Sequence, residues 1–463
     1  MKTWNRLFIR HGILLKEVRG NVFDCSLESE ENMSFLFETL DRLVIQYNYS
    51  LEVNTLSMLS GAVSEDEWFE VVDFWHRGVT EELWPVTKTE QPILRKLDTH
   101  ISGIIRQLNR LGLYTTNSCE GTIQRVPIIG FQNKNDMDLV AKVLKAINVK
   151  GNDLRVTYST LFLRVPRAEL LPMAEKLNVI QPEWLTEDTE YIKKQLFYHQ
   201  LEQLLSIDGE SGDEGNIREF VSEKLAPLVD KLTVDRNGNI LAQKTYKSGT
   251  GPTILLNAHL DTVYGFEPGK TIVKDGPIWS SSEGILGADD RAGIAVLLEV
   301  AENLRHSNFN GTVKYVFTVE EEIGLVGARN VDEYFLWDVD AAIVVDRRGK
   351  GDIVTSCGEY IKFCNELYGK FFESVAVSEG LEGWKCTTGG SSDTRIWASH
   401  GIQSVNLSAG YQNEHTDEEE VDVEACYETF RLISGVFEQT RELVKCLRQI
   451  KRNNQINSPN QAS

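Results

Sequence analysis

The chain has 463 residues, of which 41% are hydrophobic and 25% charged, an ordinary globular balance over a length that requires two or three domains. Its net charge of −21 excludes nucleic acid and anionic membrane surfaces as principal partners, because both are bound through basic groups. No run of about 20 apolar residues is present to span a membrane. No apolar stretch of the kind that makes a signal peptide follows Met1-Lys2-Thr3-Trp4-Asn5-Arg6, which points to a cytoplasmic location. The 7 cysteines are scattered without a Cys-x-x-Cys pair, as free thiols in a reducing compartment are.

In chain order, residues 1–90 are rich in acids and tryptophan, as in Glu65-Asp66-Glu67-Trp68 and Glu81-Glu82-Leu83-Trp84-Pro85, and Leu36, Leu40, Leu43 and Val44 recur at helical spacing. This predicts a mainly helical N-terminal region. Residues 91–195 read as a small α/β module. Helices are predicted over 94–111, closed by Gly112, and over 136–147, with strands over 126–131 and 154–165. No internal repeat is evident. Residues 196–448 alternate apolar strands (254–258, 313–318, 341–345, 403–407) with helical stretches (292–304, 326–335), the pattern of a buried, mostly parallel sheet. A long helix over 423–447 closes this domain, and the polar residues 449–463 read as a disordered tail.

In such sheets function sits at the carboxyl ends of strands. The strand at 254–258 is followed by His259-Leu260-Asp261, and the next connection holds Ala288-Asp289-Asp290. The strand at 313–318 leads to Glu320-Glu321-Glu322, that at 341–345 to Asp346, and that at 403–407 to a loop with His415. Imidazole nitrogen and carboxylate oxygen are zinc ligands. Paired ions about 3.5–4 Å apart need a bridging carboxylate and terminal ligands, and they activate a bridging water towards a polarised carbonyl. A further carboxylate must then move the proton. Each piece alone has a plainer reading: Asp289-Asp290 as a helix cap, the glutamate run as a solvated turn, Asp346 as a strand end. Their joint order at successive strand ends carries the argument.

These residues resemble the co-catalytic zinc exopeptidases, the superfamily of peptidase T, the di-zinc aminopeptidases and related deacylases. The likeness covers residues 196–447. It rests on His259-x-Asp261, Gly287-Ala288-Asp289-Asp290-x-Ala292-Gly293, Glu321-Glu322-x-Gly324, Asp346 and His415. The resemblance implies a three-layer α/β domain with a mixed, mostly parallel sheet. It implies two divalent ions, zinc first, with cobalt and manganese suited to the same donors. His259 and Asp346 would hold one ion, Glu322 and His415 the other, and Asp289 would bridge them before a cis peptide to Asp290. Glu321 would be the general base, and Asp261 would orient His259.

The stretch from Asp346 to His415 is too short for an inserted lid, since a domain needs roughly 50 residues or more. That favours an aminopeptidase acting on peptides. A deacylase of N-acyl amino acids or small amides is the alternative, and a non-catalytic metal-binding protein is a third reading. Ser392-Asp393-Thr394 followed by Gly401-Ile402 resembles the same aminopeptidase branch, with Thr394 where histidine is usual. Asp393 and Arg347 are candidate substrate-binding residues, with Arg348, Glu359 and Tyr411 as further pocket candidates. His76, His100 and His199 have no second ligand at a telling spacing. Self-association into a homo-oligomer is compatible with the sequence.

Overall fold

The computed structural model describes residues 3–72, 91–122, 124–358 and 360–457, and the chain divides into two units, Met1–Leu196 and Phe197–Ser463. The Glu81–Pro85 stretch, His76 and Glu359 lie outside the described residues.

The first unit opens with helix α1 (Trp4–Arg10), strands β1 (Lys16–Arg19) and β2 (Val22–Asp24), helix α2 (Glu30–Arg42), strands β3 (Tyr47–Ser50) and β4 (Thr55–Met58), and helix α3 (Glu65–Val71). The expectation of a mainly helical region is therefore corrected. A four-stranded antiparallel sheet in the order β1-β2-β4-β3 accompanies the helices. Its strands are only 3 or 4 residues long and largely polar, so they carry too little alternation to register as strands.

The same sequence of elements then recurs. Helix α4 (Thr99–Arg110), strands β5 (Thr115–Cys119) and β6 (Ile128–Phe131), helix α5 (Met137–Ala146), strands β7 (Leu154–Thr157) and β8 (Thr160–Leu163), and helix α6 (Leu170–Val179) form a second antiparallel sheet ordered β5-β6-β8-β7. The predicted strand over 154–165 is thus a hairpin, turning at Tyr158 with φ 54°.

The correspondence extends to single hydrogen bonds. Met33, Leu36 and Leu40 are buried on α2 at the spacing that Met137, Val140 and Leu144 keep on α5. Behind α2, Val44 at φ 57° donates to Asp41 and Ile45 donates to Leu40; behind α5, Asn148 at φ 69° donates to Lys145 and Val149 to Leu144. Behind α1, Gly12 at φ 78° donates to Ile9 and Ile13 to Phe8; behind α4, Gly112 at φ 81° donates to Asn109 and Leu113 to Leu108. The unit is a tandem pair of one fold. The repeat escapes sequence reading because only buried positions and cap geometry are shared, while the surface residues differ. Arg106 ties the copies together, donating from α4 to the Gly12 carbonyl at 3.0 Å and to Glu28.

Helix α7 (Thr189–Leu205) carries the chain into the second unit. After helix α8 (Gly215–Leu225) come strands β9 (Lys231–Val234), β10 (Ile240–Tyr246), β11 (Thr253–His259), β12 (Ile272–Asp275) and β13 (Ile278–Ser281), then helix α9 (Ala288–Leu304). Strands β14 (Gly311–Thr318), β15 (Ala341–Arg347), β16 (Asp352–Cys357), β17 (Ile361–Lys362), β18 (Lys385–Gly389), β19 (Gln403–Ser408), β20 (Tyr411–Gln412) and β21 (Glu420–Asp422) come after it.

The main sheet runs β17-β16-β19-β15-β11-β14-β10-β9, with β18 beside β16. The central strands β14, β11, β15 and β19 are parallel; β10, β9, β16 and β17 join by antiparallel pairings, and β18 pairs with β16 in parallel. Ile254 and Leu256 pack on one face with Ile294 and Leu297 of α9, while Leu255 packs on the other with Trp397 and Leu336. Cover on both faces is why these strands read as continuous apolar runs. The predicted closing helix is two, Val423–Glu438 and Thr440–Asn457. The second corrects the expectation of a disordered tail over residues 449–457, where the helix continues and Ile450 is buried; residues 458–463 lie outside the described residues.

The repeated glycines give a direct test. A Cβ on Gly12 would lie 2.8 Å from the Ser102 carbonyl oxygen, whereas one on Gly112 would meet nothing within 4 Å. Gly112→Ala is expected to cost only left-handed backbone strain, about 1–2 kcal/mol. Gly12→Ala should cost a further ~1–3 kcal/mol from overpacking. Urea unfolding of both variants checks this, and equal losses would refute the packing argument.

Candidate metal centre

Strands β11, β14 and β15 end side by side, so the residues just past their carboxyl ends converge. His259 is the last residue of β11 and is 2% exposed. Its Nε2 lies 3.1 Å from Asp289 Oδ1 and 3.6 Å from Asp346 Oδ1. Asp289 enters from the start of α9, where Asp289 and Asp290 have non-helical backbone angles and are joined by a cis peptide. Asp289 Oδ2 lies 3.3 Å from His415 Nε2, which is in turn 2.8 Å from Glu322 Oε1. The structure thus brings His259, Asp289, Glu322, Asp346 and His415 into one cluster, with Glu321 beside it.

Buried polar groups hold each of these in place. The Asp261 carboxylate accepts the Glu321 N–H at 2.9 Å, the Glu322 N–H at 3.1 Å and the Ser211 hydroxyl at 2.7 Å, and it sits 3.4 Å from His259 Nδ1. Asp261 therefore fixes the backbone of both glutamates through its carboxylate and orients the imidazole through its backbone carbonyl, 3.1 Å from His259 Nδ1. Asp346 is set by Asn406, which accepts its N–H and donates to its carbonyl, and by the Tyr411 hydroxyl, which donates to Oδ1 at 3.0 Å. Asp290 is fully buried and accepts the N–H groups of His259 and Gly293.

From sequence, Tyr411 is only a pocket candidate, Asp290 enters only as the second residue of the cis peptide, and Ser211, Asn406 and Glu419 do not stand out as site residues. Glu419 lies in the acidic run 417–420. No local pattern marks these last three, because their partners at the site are remote in sequence.

Asp393 is 1% exposed, and its Oδ2 accepts hydrogen bonds from Thr318 and Asn257, close enough to the cluster for its carboxyl to feel the charges of His259 and Asp346. Arg347 Nε lies 3.0 Å from Asp352 and Arg348 Nε 3.1 Å from Glu414.

Crowding sets the electrostatics. Burial, and then the charge of Asp346, push the Glu321 carboxyl up to about 10. Burial and Asp289 push Glu322 up to about 7. Hydrogen bonding to Asp289, with the nearby Glu322 charge, raises His415 to about 9 against its own desolvation. Burial would raise Asp289, but its bonds to His259 and His415 outweigh that and hold it low. The site concentrates a greater excess of negative charge than a water-poor setting tolerates.

Divalent cations fit this donor set. The donor atoms of His259, Asp289 and Glu322 lie within 4.8 Å of one another, as do those of His259, Asp290 and Asp346. Imidazole with carboxylate suits zinc, cobalt or manganese. The Asp290 oxygens are already engaged by backbone N–H groups, which leaves His259 and Asp346 as the better donors of the second group.

Residues 263–432 match the family model of the M42 glutamyl aminopeptidases, a stretch that takes in Asp289, Glu321, Glu322, Asp346 and His415. The chain is 31% identical over 178 residues to the uncharacterized protein YqjE of Bacillus subtilis, covering 36% of this chain and 47% of that one. It is 26% identical over 169 residues to a peptidase T-like protein of Yersinia pestis, covering 29% and 41%. The match spans less than half the length of these curated relatives. Among solved structures, aminopeptidase PepT of Bacillus cereus aligns at a TM-score of 0.49 and 20% identity, over 54% of this chain and 99% of that one. The second half of the chain is thus similar to the co-catalytic zinc exopeptidases.

Ion binding must displace the protons that this field retains. His415 and Glu322 are protonated below about 9 and about 7 respectively, so affinity should rise with pH between about 6 and 9 as the competing protons leave. Titrating metal-free protein with zinc in buffers of different ionisation enthalpy should register proton release. A pH-independent affinity would contradict this reading of the site.

Proposed function

We propose that the second unit is a metal-dependent hydrolase that cleaves amide bonds, an aminopeptidase acting on peptides. The observation that carries this reading is the position of Glu321. It adjoins both donor groups yet belongs to neither, is largely buried, and has its backbone tied to the same Asp261 that orients His259. His259 and Asp346 would hold one ion, Glu322 and His415 the other, and Asp289 both. The ions, when bound, supply the Lewis acid that activates water and polarises the scissile carbonyl.

Glu321 takes the proton of the attacking water at its carboxylate and returns it to the leaving nitrogen. Burial and then the Asp346 charge raise its carboxyl, and bound cations would oppose the second of these and favour the carboxylate that accepts the proton. Asp261 keeps the His259 ring in one orientation throughout, so the donor nitrogen faces Asp289. Tyr411 holds the Asp346 carboxylate by its Oδ1.

A peptide with a free amino terminus is favoured over an acylated amino acid. The deacylase alternative draws on Arg347 or Arg348 for the substrate carboxylate, and each already has an acidic partner at its Nε, Asp352 and Glu414. The match to the glutamyl aminopeptidase model supports the same choice.

Glu321→Gln is expected to retain bound metal and to lose about 10²–10⁴-fold in kcat, measured on panels of free-amine and acyl-blocked peptides beside metal analysis. Turnover of blocked substrates alone would select the deacylase. Bound metal without turnover of either panel by the unaltered protein would leave the non-catalytic reading.

A further inference from the structure

We infer that Glu419 is a positioning residue that sets the separation of Asp289 and His415, and hence the competence of the ion site between them. This rests on the proposed metal-dependent activity.

Glu419 is 1% exposed, and its two oxygens accept the N–H groups of Gly287 at 2.7 Å and Asp289 at 3.0 Å. Capping a helix would explain such bonds if the backbone here were helical. It is not: Asp289 has φ −81°, ψ 101° and Asp290 φ −120°, ψ 37°. Helix geometry therefore does not determine where the Asp289 side chain points, and the clamp from Glu419 does. Gly287, at φ 76°, has no room for a side chain, because a Cβ would lie 2.7 Å from the Phe266 ring. The segment is thus pinned by Phe266 and Glu419, while the Asp290 carboxylate bonds to His259 N and Gly293 N.

The other end of the clamp belongs to the loop of His415. Glu419 N donates to the Thr416 carbonyl at 3.1 Å, the Thr416 hydroxyl donates to the Asn413 carbonyl at 2.7 Å, and Glu418 N donates to that hydroxyl at 3.2 Å. Positions 415 and 419 are therefore fixed to each other within one turn. Fixing Glu419 to Asp289 fixes His415 to Asp289, whose facing atoms stand 3.3 Å apart. His259 and Asp346 are placed instead near the ends of paired strands, with Asp261, Asn406 and Tyr411 beside them. Lys270 completes the arrangement, donating to the Leu286 carbonyl at 2.7 Å and offsetting the Glu419 charge.

Two N–H donors need two acceptors. A carboxylate offers both, whereas an amide offers one oxygen and turns an NH₂ group toward the second donor. Glu419→Gln should then weaken the ion held by Glu322 and His415 by about 10–100-fold, and the other ion, which shares Asp289, by less.

The test is titration of metal-free protein with Co²⁺, followed by heat and by the visible spectrum of the bound ion. The unaltered protein should take up two ions, and Glu419→Gln should show one site weakened more than the other, with a changed spectrum. Asp235→Asn is the control. Its carboxylate accepts the N–H groups of Asn237, Gly238 and Asn239 in a turn outside the cluster, so it should lower the melting temperature yet bind both ions normally. Glu419→Asp, which keeps the charge but shortens the reach, gives the same readout if the glutamine variant does not fold. Two-ion uptake at unchanged affinity in these Glu419 variants, with only a lower melting temperature, overturns the inference. No uptake by the unaltered protein overturns the metal reading and the inference together.

Discussion

Carboxylates withdrawn from water repel one another and take up protons unless cations intervene. At the carboxyl edge of the central strands this chain packs Asp289, Asp290, Glu321, Glu322 and Asp346 around His259, with His415 at the more exposed rim. The rest of the second unit is organised to make that crowding possible. Apolar strands covered on both faces supply a stiff base. A second layer of acids and amides (Asp261, Asn406, Glu419) ties down the backbone beneath the donors. Leaving such charges unpaired in a water-poor site costs several kcal/mol per ion, so the arrangement makes physical sense as a receptacle for divalent cations.

The first unit solves a different problem. Each copy of its fold has a four-stranded sheet of very short strands, too small an apolar area to be stable alone. The copies meet through α1, α4 and α6. Arg106 and Glu28 join across them as a fully buried ion pair, a costly arrangement unless both partners keep their hydrogen bonds. Arg106 keeps its bonds by donating to the carbonyls of Gly12 and Pro92 as well.

How far the sequence could be read depended on the range of the forces involved. The central strands were legible because burial on both faces writes itself as an unbroken apolar run. The candidate donors were legible because most of them follow the apolar strands along the chain. The small sheets of the first unit were not, since strands of this length are held by cross-strand pairing, which leaves no periodicity along the chain. The repeat was hidden for a related reason: Gly12 and Gly112 share a backbone conformation, and Met33 and Met137 share a buried position, but little else is common to the copies.

Glu419 and Asp393 mark the same boundary from the side of chemistry. Both are acids in polar stretches, and nothing local distinguishes a solvated carboxylate from one that clamps a loop or props a strand. By itself the sequence determined the α/β character of the second unit and the order of the candidate imidazole and carboxylate donors along it, because these depend on residue type and short-range pattern. Only the tertiary structure decided which acids are buried, which arginines are already paired, and which side chain holds Asp289 to the His415 loop, because those outcomes depend on hydrogen bonds between residues far apart in the chain.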